Sequence, residues 1–189
     1  MDSLELLSRA DGRLVDLTAG LRGNHLELST PCADWNVRSL LSHTVASIDA
    51  FAAAVDGGAG PTEQELFSGQ DILGADPLAV VEHSVQRSQR AWATITEWQL
   101  PVQTVLGEMS AAAAIGIITY STLVHSWDLA VAVNRSVEFD ECEAELAEAV
   151  GGQLVPPLRQ QELFGAEIQT RADATPTQRV VAFSGRHPL

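Results

Sequence analysis

The sequence predicts an all-α protein: a four-helix bundle followed by a short C-terminal helical extension. Three observations carry this. Apolar residues recur at helical spacing in four long segments, those segments are bounded by capping residues, glycine or proline, and no segment shows convincing strand alternation.

The first segment, Ser3 to Leu21, places Leu4, Leu7, Leu14, Leu17 and Leu21 at helical spacing, and Arg22-Gly23-Asn24 ends it. A residue before proline avoids helical backbone, so Ser29-Thr30-Pro31-Cys32-Ala33-Asp34-Trp35 is expected to be an extended or turning link. Asn36 then caps a second helix whose apolar stripe runs from Val37 to Val55 until Gly57-Gly58 stops it. The glycine-rich stretch up to Asp76 is long for a helix connection and is expected to hold a short turn of its own.

Asp76-Pro77 opens a third helix, with Leu78, Val81, Val85, Ser88, Trp92 and Ile95 on its buried side, and Pro101 closes that region. Residues 102–107 suit a short extended piece. Ser110 caps the fourth and most apolar helix, Ala111 to about Val133, whose interrupting Ser121, Thr122, His125, Ser126 and Asp128 favour a buried bundle helix over a membrane span. An acidic helix follows from Glu141 to Gln153, Pro156-Pro157 is expected to break the chain, and Thr175-Pro176 starts a last short helix ending near Gly185.

A chain of 189 residues that is 46% hydrophobic and 19% charged suits one domain (1–189), with the bundle over about 3–135 and the extension over about 136–189. Eleven arginines, no lysine and 25 acidic residues give a net charge of −14, which repels phosphate backbones and anionic lipid. Nucleic acid and membrane are therefore not expected partners. Cys32 and Cys142 form no CxxC pattern and no secretory leader is visible, so reduced thiols, a cytoplasmic location and no zinc ribbon are expected.

Chemistry concentrates on two helices. On the fourth, His125 lies mid-stripe, with Ser121 one turn before it and Asp128 nearly one turn after. Buried polar groups left alone cost roughly 1–3 kcal/mol each, so these need one another, water or an ion. His43 falls at the edge of the second helix's stripe, and the two histidines are expected to face each other inside the bundle. Neutral imidazoles so placed suit zinc and other late first-row ions, and they equally suit a buried hydrogen-bond network. Cys32, near a helix start, is either a thiol with lowered pKa or an inert buried one. The tryptophans at 35, 92, 98 and 127 are expected to pack the core and its edges.

Two stretches go further: Thr30-Pro31-Cys32-Ala33-Asp34-Trp35-Asn36-Val37-Arg38-Ser39-Leu40-Leu41-Ser42-His43 and Leu123-Val124-His125-Ser126-Trp127-Asp128-Leu129-Ala130. Phe164-Gly165 and the segment from Thr175-Pro176 to Gly185-Arg186 add to them. Together these resemble the DinB-like (YfiT-like) actinobacterial metal-binding proteins related to mycothiol-dependent maleylpyruvate isomerase.

The resemblance implies a divalent metal, zinc or nickel, held by a histidine of the second helix and by an acidic or histidine residue plus a histidine one turn later on the last long helix. His43 and His125 match two of these positions, and Ser121 stands where a carboxylate or histidine is usual. Asp128 becomes the substitute third ligand or an orienting group, with Ser121 and Trp127 beside the site. Mycothiol, or another small-molecule thiol or its conjugate, is the implied partner of a transferase or isomerase. The alternative is a non-catalytic ligand-binding or interaction protein with a degenerate site. The oligomeric state stays open, a homodimer among the options.

Overall fold

The structure, a computed structural model, describes residues 2–32 and 35–188; Ala33 and Asp34 of the expected link lie outside the described residues. In chain order the elements are α1 (Ser3–Ala19), a 3-10 turn (Gly23–Glu27), α2 (Val37–Asp56), α3 (Glu63–Phe67), α4 (Pro77–Trp92), β1 (Pro101–Thr104), β2 (Gly107–Ser110), α5 (Ala111–Ala132), α6 (Glu141–Gln160) and α7 (Pro176–Phe183). The fold is all-α, as the periodicity predicts.

The caps fall where the residue types demand. The Asn36 side chain accepts from the Ser39 amide at the start of α2, and Gly57 ends that helix at φ 68°, a left-handed conformation that costs glycine nothing. Asp76 and Ser110 cap α4 and α5 in the same way, with Pro77 in the first turn of α4.

Helices α1, α2, α4 and α5 form the bundle, α1 and α2 each packing against both α4 and α5. Their shared core includes Leu7, Leu14, Leu40, Leu41, Ile48, Trp92, Ile115 and Ile118. A second apolar cluster lies on the opposite side of α5, where Tyr120, Leu123, Val124 and Trp127 meet Phe139, Val155 and Val181. Because α5 is covered on both sides, it is apolar nearly all round. No helix among the described residues is long and apolar enough to cross a membrane. Arg13 donates to both Glu143 carboxylate oxygens, at 2.8 and 2.9 Å, and so ties α1 to α6.

One expectation changes and two are sharpened. Pro156 and Pro157 lie inside α6, which runs on to Gln160 instead of stopping at Gln153. Each proline removes an amide donor, but Gly152 and Gln153, whose carbonyls lose their partners, are exposed, so water can serve them. The extended piece at 102–107 is half of an antiparallel hairpin, with Pro101 opposite Ser110 and Thr104 opposite Gly107. The turn expected between α2 and α4 is the short helix α3, capped by Thr62 and Glu65.

Candidate functional site

Four segments converge beside α5. The link before α2 is folded back by Thr30, whose hydroxyl lies 3.0 Å from the Trp35 carbonyl and 3.2 Å from the Cys32 amide and carbonyl. This directs Cys32 toward α5 and lays the Trp35 ring against His43, with centroids 4.7 Å apart. α2 supplies His43 and α5 supplies His125; their rings meet edge to face, with centroids 5.1 Å apart and planes at 89°. The expected proximity of the two histidines is therefore present. Trp35 borders this pair, where simple edge packing was expected.

The hydrogen-bond partners assign the imidazole tautomers. His43 Nδ1 donates to the Leu66 carbonyl at 2.6 Å, at the end of α3. His125 Nδ1 donates to Asp128 Oδ2 at 3.1 Å. In the neutral ring each proton therefore belongs on Nδ1 and the lone pair on Nε2, the form in which histidine binds a metal while a carbonyl or carboxylate holds its other nitrogen. Ser47 Oγ lies 3.5 Å from His43 Nε2, at the outer limit of a hydrogen bond. Burial, and then the neighbouring His125, pull the His43 pKa down to about 3, so it is neutral across the physiological range.

Asp128 is fully buried and fully occupied. Arg186, from the segment after α7, donates Nη2 to Asp128 Oδ2 at 2.8 Å and Nε to Oδ1 at 3.1 Å. The Cys32 thiol donates to Oδ2 at 3.1 Å, alongside the bond from His125. Burial acts to raise the Asp128 pKa, but the Arg186 charge and the bonds from His125 and Arg186 outweigh it and hold the carboxyl below its ordinary range. Cys32 Sγ, His125 Nδ1 and Asp128 Oδ2 lie within 4.8 Å of one another, a spacing that a small cation can bridge. The guanidinium already neutralises that corner: Arg186 Nη2 is 3.1 Å from the sulfur. The donor chemistry thus fits a divalent ion at the two histidines better than at Asp128.

The Cys32 alternatives are resolved in direction. Burial and the Asp128 charge push its thiol up to about 12, against the pull of Arg186, so the helix terminus does not make it a thiolate. Ser121 is half-buried one turn before His125, and Trp127 is buried in the second apolar cluster with Tyr120 and Phe139. Arg186 was not singled out as a site residue from the sequence. The available signal was Asp128 itself, a carboxylate in the middle of an apolar helix, which requires a positive partner from elsewhere in the chain.

Known proteins share both sequence and shape with this chain. An uncharacterized protein of Mycobacterium tuberculosis strain H37Rv, and likewise one of strain CDC 1551 / Oshkosh, is 27% identical over 188 residues, covering 98% of each chain. The crystal structure of the mycothiol-dependent maleylpyruvate isomerase superposes with a TM-score of 0.64 at 18% identity, covering 88% of this chain and 73% of that one. A mutant of that isomerase gives the same TM-score over 82% of this chain and 70% of its own. At such identity the likeness is one of fold. The sequence model of the mycothiol maleylpyruvate isomerase N-terminal domain matches residues 7–130, which span α1 through most of α5 and include both histidines and Asp128. The chain belongs to the mycothiol maleylpyruvate isomerase N-terminal domain family.

Proposed function

We propose that the chain uses a low-molecular-weight thiol, mycothiol or a close analogue, in a transfer or isomerisation reaction at a divalent-metal centre held by His43 and His125. The observation that carries this reading is the pairing of tautomers: both Nδ1 atoms are anchored on acceptors, and both Nε2 lone pairs remain, on rings 5.1 Å apart. Zinc and nickel both suit imidazole donors. When bound, such an ion favours thiolate over thiol and polarises a carbonyl oxygen.

The chain's own residues prepare that chemistry. His43 stays neutral because protonating it would place a charge in a buried spot beside His125. Asp128 orients His125 from behind instead of serving as third ligand, since its oxygens already accept from Arg186, His125 and Cys32. Cys32, held as a thiol, does not compete with an incoming thiolate as nucleophile. Trp35 offers an aromatic wall next to His43.

The test is the metal content of tag-free protein purified without chelator, beside a His43→Ala, His125→Ala double variant, followed by calorimetric titration with mycothiol. Near-stoichiometric metal that the double variant lacks, together with thiol binding, is the expected result. One observation favours a second reading, a non-catalytic ligand-binding protein: Ser121 stands one turn before His125, where the family resemblance implies a carboxylate or histidine. No metal uptake in zinc and nickel titrations, with thiol binding unchanged by the double substitution, would favour that reading.

A further inference from the structure

The tail segment that carries Arg186 is built for one placement of its side chain. α7 ends in a Schellman motif: the Gly185 amide donates to the Ala182 carbonyl at 3.0 Å and the Arg186 amide to the Val181 carbonyl at 2.9 Å. Gly185 sits at φ 88°, and a Cβ there would come within 2.8 Å of the Gly165 backbone, so this close approach admits only glycine at 185. The turn sends Arg186 inward. Its guanidinium lies over the Phe164 ring, 5.7 Å from the centroid, donates Nη1 to the Ser184 carbonyl at 3.2 Å, and forks onto Asp128.

The side chains of this ion pair are 10% and 0% exposed. A buried pair of this kind is a poor way to gain stability, because apolar residues of similar volume often do as well or better. What an apolar pair cannot supply is an oriented carboxylate 3.1 Å from His125 Nδ1. We propose that Arg186 is a positioning residue: its planar fork fixes the Asp128 carboxylate, and that carboxylate fixes which nitrogen of His125 keeps its lone pair. The C-terminal extension thereby completes a site whose histidines lie on α2 and α5. The value of that lone pair rests on the metal reading above, but the positioning itself does not.

The test reads the His125 tautomer directly, by nitrogen-15 NMR of histidine-labelled, metal-free protein, in the native sequence and in Arg186→Gln and Arg186→Lys, with circular dichroism confirming the helices. The native protein should show His125 protonated on Nδ1, and both variants a mixture of tautomers. Cobalt affinity should fall on the order of 10- to 100-fold in each, as in Asp128→Asn. If Arg186→Gln does not fold, Arg186→Lys decides alone, since it keeps the charge and loses the fork. A His125 tautomer unchanged in the folded variants overturns the proposal. Should the native protein take up no cobalt, the metal centre fails while the tautomer result still decides the role of Arg186.

Discussion

Among the described residues, Asp11 and Asp128 are both buried to 0% exposure, and their surroundings are opposites. Asp128 on α5 accepts bonds from an arginine, a histidine and a thiol, and its pKa is held below the ordinary carboxylate range. Asp11 on α1 has, among the described residues, no donor reaching either oxygen with hydrogen-bond geometry; burial pushes its pKa up to about 7, and the Gln89 side chain only partly offsets that. The same side chain at the same depth is thus a stable anion in one place and a stored penalty in the other. Partners decide the difference, and the chain provides them where the histidines are.

The comparison breaks most visibly if Arg186 is removed. Arg186→Met leaves the buried Asp128 carboxylate without its cation, with only the bonds from His125 and Cys32, and should lower stability by about 3–5 kcal/mol in urea unfolding; a loss below about 1 kcal/mol would mean that these two donors suffice. Asp11 predicts a pH slope of the opposite kind. Its folded pKa lies above its unfolded value, so the folded chain binds the extra proton and stability falls as pH rises from about 4 to about 7. Asp11→Asn should remove that slope and stabilise the protein at pH 8 by about 2–4 kcal/mol, checked by denaturant melts at each pH. The smallest effect tests the frame that carries His43: Asn36→Ala removes the α2 cap and should cost about 1 kcal/mol in the same melts.

The bundle was legible because its signals are local. Asn36, Asp76-Pro77, Ser110 and Thr175-Pro176 mark helix starts within a few residues of chain, and the structure starts helices at each. Pro156-Pro157 misled for the same reason: a local breaker was read as a stop, while the exposed face of α6 tolerates the missing bonds. The meeting of His43 and His125 could be anticipated from two apolar stripes that must face each other. The Cys32–Asp128–Arg186 corner could not, because it joins positions 96 and 58 residues apart that no periodicity links. The Cys32 thiol was open in direction from its place near a helix start; the tertiary neighbour Asp128, absent from any local pattern, adds to burial in raising it.

The position of Arg186 also sets an order of events in time. It follows Asp128 by 58 residues. At ribosomal speeds of 5–20 residues per second, roughly 3–12 s pass between the synthesis of one and the other. Once Ala132 is made, α1, α2, α4 and α5 all exist as chain and can collapse on their shared apolar faces, while Asp128 has yet to meet Arg186. The helices that frame the site are thus made before the cation that closes it, and Asp128 waits for the segment that follows α7 before its ion pair can form.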